Sequence, residues 1–439
     1  MRYKLLLLFF FLWSVGAKAQ KGFQFETHKD KVVIPFQFIN NLIFIPVTVN
    51  GVELIFLLDT GVEETILLSL DDKSEVRFFN VEKIKLKGLG SDEAIEGLRS
   101  SNNVLSINGI TDKQHDLYIV MDQSFNFSSH VGIPVNGIIG YHFFKDNLVE
   151  INYDKRKIIV YQDNAKVRSK LHTKYTEFPI TVEKGKPYLV ADVTVGHQTA
   201  PAKLLLDLGN SDALWLFENN KLFQVPEKNF EDYLGKGFSG DIFGKRARID
   251  NLRIDQFSFD KPIIAFPDST SIKSVNMVKG RVGSIGGEIF KRFGVVMDYE
   301  HHKVYLKKGG HFYSDFHYNM SGLELQNDGM QWVQETVTLQ TVHKEDSFDI
   351  GGNKKDNFKY KFSLKPIYSI SNVRKDSPAD ACGIQKGDVI VSINGTAGYR
   401  YTLQKINEIL KSEDGKWIYL EVERSGIPMK FKFQLQNTL

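Results

Sequence analysis

The sequence has only one cysteine, Cys382, in 439 residues. A single thiol closes no disulfide within the chain, so stability must come from packed cores. Its neighbours Ala381, Gly383 and Ile384 mark it as a small packed residue rather than an activated nucleophile. Charge of one sign is scarce too. Lys and Arg number 56 against 53 acidic residues, a net charge of +3, and no long basic run stands out. Nucleic acid is therefore excluded as the leading partner. His301, His302, His311 and His317 lack the spacing to carboxylates or thiols that a metal site needs, so they read as surface residues. No metal and no cofactor is expected. Past the N-terminus, no stretch is apolar enough to span a bilayer.

The N-terminus differs. Arg2 and Lys4 precede an unbroken apolar run from Leu5 to Trp13, followed by Ala17-Lys18-Ala19. That is the layout of a secretory signal cut after Ala19, and the run is shorter than the roughly 20 residues of a spanning helix. Export to a periplasmic or extracellular space is the expectation. A chain of this length holds two to four domains at about 100–200 residues each.

The body of the chain repeats. Residues 137–158 read GIIGYHFFKDNLVEINYDKRKI and residues 283–304 read GSIGGEIFKRFGVVMDYEHHKV. Glycines, Phe144 with Phe290, Lys145 with Lys291, and Tyr153 with Tyr299 pair at an offset of 146. Upstream, VELIFLLDTG (52–61) matches APAKLLLDLG (200–209), which sets Asp59 against Asp207 at an offset of 148. Between them, Gly88 and Gly90 answer Gly235 and Gly237. Three landmarks in one order define two copies of a β-rich unit, over 28–165 and 170–310. Alternating strands meet at turns such as Asn50-Gly51, and short helices follow at 141–145 and 288–292. The charged stretch 164–174 reads as the link between copies.

An Asp-x-Gly after an apolar strand fixes a carboxylate where rigid structure ends. Two such carboxylates, brought together by a two-fold relation, cannot both ionise at close range. They share a proton; the charged one activates water and the protonated one polarises a carbonyl. Glycine-bearing hairpins at Gly88, Gly90, Gly235 and Gly237 suit flaps that exclude water.

The motifs Leu57-Leu58-Asp59-Thr60-Gly61, the glycine hairpins and Gly137-Ile138-Ile139-Gly140 resemble retropepsin or pepsin-type aspartic proteases. The tandem arrangement is similar to exported aspartyl protease family proteins of Bacteroidetes-type bacteria. The resemblance implies a mainly β chain of two barrel-like lobes, catalysis by Asp59 and Asp207, and support of the dyad by Thr60, Gly61, Gly209 and Asn210. In the family the residue after each aspartate is Thr or Ser, whose hydroxyl stiffens the dyad. Here Leu208 stands in the second copy. Asn210 is expected to donate to the outer oxygen of Asp207, a place where the first copy has Val62.

The run Ser377-Pro378-Ala379 to Asp388-Val389-Ile390, with Asn394-Gly395 after it, resembles a bacterial PDZ domain covering 355–439. Ser377 and Thr402 are helix caps. The resemblance implies a groove that takes a peptide, often by its C-terminus, as an added strand. Ile367, Tyr368, Ser369 and Ile370 are expected to form one wall, and Leu403 and Ile406 the other. Residues 311–354 read as a connecting segment with a strand or two. Three readings follow: an aspartic endopeptidase using Asp59 and Asp207, a peptide-binding protein whose chemistry Leu208 has weakened, and a dimer of first lobes working through Asp59 alone.

Overall fold

The computed structural model describes residues 22–26, 29–68, 70, 76–86, 95–120, 127–218, 222–237, 240–272, 277–338 and 358–439. The signal segment 1–19 lies outside them. The described chain is mainly β, in two lobes and a C-terminal PDZ sheet.

In the first lobe the strand Val52–Leu58 delivers the chain to Asp59. It pairs in parallel with Gly137–Ile139, which pairs antiparallel with Thr65–Leu67, which in turn pairs in parallel with Ile110–Val120. The second lobe makes the same connections. Gln198–Leu206 pairs in parallel with Arg281–Ile285, that strand antiparallel with Leu214–Leu216, and that one in parallel with Ile263–Pro267. Parallel strands deep in such sheets are covered on both faces, which explains why Ile55 to Leu58 and Leu204 to Leu206 are continuous apolar runs.

A six-stranded sheet joins the lobes. Leu148–Asn152 pairs antiparallel with Phe293–Asp298, and Glu150 faces Val296, its own counterpart 146 residues on. The local two-fold therefore passes between these two residues. One apolar core runs through both lobes, from Phe56 and Leu58 to Leu206 and Ile285.

Two expectations gain detail here. The link between the copies, 164–174, is helical: Ala165–Lys174 is a helix, capped by the Asn164 side chain at Val167 N. It contains no Gly or Pro, and Leu171 is buried against the joining sheet. Between 311 and 354 the expected strand is present, and it belongs to the PDZ sheet. The strand Leu323–Thr338 pairs along Phe358–Val373, and Tyr318, Met320, Leu323 and Leu325 are buried in the PDZ core. The PDZ unit thus recruits chain from before residue 355.

Candidate active site

Each aspartate sits at the end of its strand, held from behind. Asp59 N donates to Ile139 O and Asp207 N donates to Ile285 O, both at 2.9 Å. This is the task of the Gly137–Gly140 and Gly283–Gly286 segments. The loops then turn tightly. Gly61 N donates to Asp59 Oδ1 at 2.6 Å, and Gly209 N to Asp207 Oδ1 at 3.2 Å. Glycine is required for space: a Cβ on Gly209 would lie 2.3 Å from Asp59 Oδ2, and one on Gly61 2.9 Å from Asp207 Oδ1. Those approaches also show that the two loops interleave.

The two carboxyls lie close enough to act on each other, and both are half-buried. Burial, and then the charge of Asp207, pushes Asp59 up to about 7. Burial also raises Asp207 above the usual carboxylate range. A pair so arranged holds one proton between two oxygens rather than two full charges.

Thr60 lies under the dyad, fully buried. Its hydroxyl donates to Leu206 O at 2.5 Å and accepts from Leu208 N at 2.9 Å, so one side chain ties both loops. Leu208 offers no hydroxyl in return and fills the shared core instead. Asn210 departs from expectation. Its Nδ2 donates to Ser284 Oγ at 3.2 Å and its Oδ1 accepts from Asp212 N at 2.9 Å. The amide is used to hold the loop's far side, so it braces the second loop without serving Asp207.

Gly88 and Gly90 lie outside the described residues, though the strands flanking them, Glu82–Leu86 and Ile95–Ile107, form a hairpin. Gly235 and Gly237 lie on the hairpin Asn229–Gly237 with Gly240–Arg248. The base of that hairpin is fixed to the PDZ domain. Phe230 and Tyr318 rings lie 5.4 Å apart, and Arg374 reaches Asp232 at 3.6 Å. Those contacts hold the base of the hairpin, while Gly235 and Gly237 lie toward its tip.

The expected PDZ groove wall is also revised. Tyr368 and Ile370 pack with Leu403 and Ile406 in one core. At Ser369 and Ile370 that strand has both edges taken, by Leu323–Thr338 on one side and by the segment 387–389 on the other, so it has no free edge there. The marginal strand beside the helix Leu403–Leu410 is Leu323–Thr338.

A second cluster invites comparison. Thr65 Oγ1 lies 2.7 Å from His115 Nε2, and His115 Nδ1 2.8 Å from Asp112 Oδ2. The order matches a hydroxyl–imidazole–carboxylate nucleophile. All three residues are buried, so no substrate reaches the hydroxyl. The cluster instead pins the strand after the Asp59 loop. A cavity of about 500 Å³ lies on the joining sheet, lined by Arg168, His172, His301 and Lys303. Arg168 is paired with Asp163 and Asp298, and Lys303 with Glu177, so those charges are satisfied internally. Among the described residues no cluster of three or more His, Cys, Asp or Glu could hold a metal ion, and no helix is long and apolar enough to cross a membrane.

A mainly β chain with two interleaved aspartate loops and a PDZ sheet is the class that fold and site define. The comparisons agree at the domain level. Residues 45–143 match the family described as aspartyl protease, and residues 369–424 match the PDZ domain. The chain carries an aspartyl protease domain and a PDZ domain. The crystal structure of an aspartic proteinase from Irpex lacteus is similar over 65% of this chain and 99% of its own, at 12% identity and a TM-score of 0.42. That likeness is too slight to argue from. The curated proteins contain no match.

Proposed function

We propose that the protein is an exported aspartic endopeptidase of the two-lobed pepsin type. Asp59 and Asp207 form its catalytic pair, and its PDZ domain holds peptide or protein chains. The observation that carries this reading is the Thr60 hydroxyl, bonded to Leu206 O and Leu208 N beneath two carboxyls that the interleaved loops hold close together. Holding two acids in contact costs stability, and a structural role would not need it.

The chemistry follows from one shared proton. The ionised carboxylate takes a proton from water as the oxygen attacks the peptide carbonyl carbon. The protonated partner donates to the carbonyl oxygen, which gives a neutral tetrahedral diol. On collapse the C–N bond breaks; one carboxyl gives its proton to the leaving amine nitrogen and the other takes a proton from a diol hydroxyl, which leaves a carboxylic acid product and restores the pair's single proton. The Gly61 and Gly209 amides stabilise the anionic oxygens and hold the acids in plane.

A non-catalytic peptide-binding role is favoured by one feature, Leu208. Thr60 already satisfies Leu206 O and Leu208 N, so the lock keeps one complete half. The test is cleavage of a mixed peptide library from pH 3 to 8 by wild type, Asp59→Asn and Asp207→Asn. Cleavage by wild type alone supports the pair. Loss only in Asp59→Asn points to a dimer of first lobes. No cleavage at any pH leaves the binding role.

A further inference from the structure

The two aspartate loops differ in the charge beside them. In the first lobe Phe44 lies opposite Leu57, and that antiparallel register, continued two residues, sets Leu42 across from Asp59. In the second lobe Tyr188 lies opposite Leu205, and the same step sets Lys186 across from Asp207. Arg281 begins the strand that supports Asp207, and its counterpart 146 residues upstream is Val135. Leu42 and Val135 are both buried in one apolar cluster. The second lobe thus has two cations where the first has two apolar side chains.

Neither cation is neutralised locally. Arg281 Nε donates to Gly283 O at 3.1 Å, and its guanidinium lies 5.1 Å from the centre of the Phe217 ring. Neither Arg281 nor Lys186 forms an ion pair among the described residues, whereas nearby Lys203 meets Glu183 at 2.5 Å. The charges acting on Lys186 are Arg281, Asp59, Asp207 and Glu63; those on Arg281 include Asp207. Glu63 is exposed, so water screens it. With its shared proton the aspartate pair has one negative charge against two positive ones. Burial and mutual repulsion hold Lys186 below its usual range, and burial does the same to Arg281. Half-buried cations without a partner are costly, and that cost is recovered when a ligand brings an anion.

Resting on the peptidase reading, we infer that Lys186 and Arg281 form a carboxylate-binding subsite on the second-lobe side of the aspartate pair, so that the preferred substrate carries an anionic group next to the bond that is cut. Arg281 offers a planar fork suited to two carboxylate oxygens, and Lys186 adds a compact charge. The carboxylate comes either from a Glu or Asp side chain or from a free chain terminus. The Asp207 side of the cleft would then read charge, and the Leu42 side would read apolar shape.

The experiment uses one peptide sequence with Glu, Gln or Lys at each position flanking the cleaved bond, with a free or an amidated C-terminus. kcat/KM is measured for wild type, Lys186→Met, Arg281→Met and Arg281→Lys, with melting curves to check folding. The expected result is a preference of about tenfold or more for Glu over Gln at one position, or for the free over the amidated end. Which of the two occurs identifies the source of the carboxylate. Either Met substitution should abolish the preference, and Arg281→Lys should keep much of it. Should Arg281→Met not fold, Lys186→Met decides. Equal cleavage of all peptides by wild type overturns the subsite and leaves the peptidase reading intact. If wild type cuts nothing, the peptidase reading fails, and binding of the same peptides to full-length Asp59→Asn by fluorescence anisotropy decides the subsite. A Glu preference lost in the double variant with Arg281→Met supports it; no preference overturns it.

Discussion

Thr60 and Leu208, 148 residues apart, meet at a buried hydrogen bond of 2.9 Å from the Leu208 amide to the Thr60 hydroxyl. The same hydroxyl reaches Leu206 O, so one side chain from the first lobe fixes the approach to Asp207 and the exit from it. Thr60→Val keeps the shape and removes both bonds, leaving a buried amide and carbonyl unpaired. The expected cost is about 2–4 kcal/mol in stability, from thermal or urea unfolding, with kcat lowered on the order of 100-fold and KM changed little. Thr60→Ser should retain most of both. Leu208→Thr is expected to destabilise, because Leu208 is packed in the shared core.

The pair's proton sets the pH response. Asp59 is pushed up to about 7 by burial and by Asp207, and Lys186 opposes that rise. Activity should persist while one proton is held and fall as pH passes about 7. Lys186→Met removes a cation that lowers Asp59, so the basic limb of the kcat/KM profile should move to higher pH. The same shift has a stability sign. A folded value above the unfolded 3.8 means that this stabilisation is complete below about 4 and is lost as pH rises through about 7. Against Asp59→Asn, wild type should lose melting temperature between pH 4 and pH 8.

Much of this was legible where the signal is local. Apolar strands ending in Asp-x-Gly, the Asn50-Gly51 turn with φ of 48° and 92°, and the Ser377 and Thr402 caps are all written in a few adjacent residues. What stayed hidden depends on distant partners. The direction of the Asn210 amide is decided by Ser284, 74 residues away. The place of Leu323–Thr338 is decided by pairing across residues with no local signal, and a register shift between Asn327 and Met330 breaks its alternation. Lys186 gains meaning only once the register sets it across from Asp207, and Arg281 only once its charge is seen to reach Asp207 from the start of the supporting strand.

A chain of buried and half-buried charges links the PDZ domain to the second aspartate loop. Asp212 meets Arg246 at 2.8 Å, Arg246 meets Asp232 at 2.7 Å, and Asp232 meets Arg374 at 3.6 Å. Asp212 also receives Trp215 Nε1 at 2.8 Å. Arg246→Met leaves two half-buried carboxylates without their shared cation. The expected loss is about 2–4 kcal/mol, from chemical unfolding, because removing one partner of a largely enclosed network leaves uncompensated charge. Arg246→Lys should recover only part, since a single ammonium cannot meet both acids in the same geometry.

Beside that chain Glu324 is half-buried on the strand Leu323–Thr338 and is raised to about 7, first by burial and then by Asp232. Glu324→Gln keeps the size and removes the acid. A raised folded value means stability is lost as pH climbs through about 7, so the substitution should raise the melting temperature at pH 8 and matter little at pH 4. An unchanged melting curve at pH 8 would show that Glu324 is ionised and well solvated.

The marginal PDZ strand is already in company. The first-lobe helix Phe127–Val131 lies against Leu323–Thr338, and the chain after it turns at Gly132, φ 82°, hard against Leu403. A Cβ at Gly132 would sit 2.9 Å from Leu403 Cβ. A peptide that adds to this strand beside the helix Leu403–Leu410 therefore competes with the first lobe. Gly132→Leu forces a side chain into that contact and levers the lobe from the PDZ helix. Binding of a peptide with an apolar C-terminal residue, followed by fluorescence anisotropy, should tighten by about tenfold, the effect of about 1.4 kcal/mol of lost competition. Gly132→Ala should give a smaller gain in the same direction. Unchanged affinity in both, with the folded state intact by circular dichroism, would mean that the peptide uses a different edge and that the first-lobe helix is no competitor.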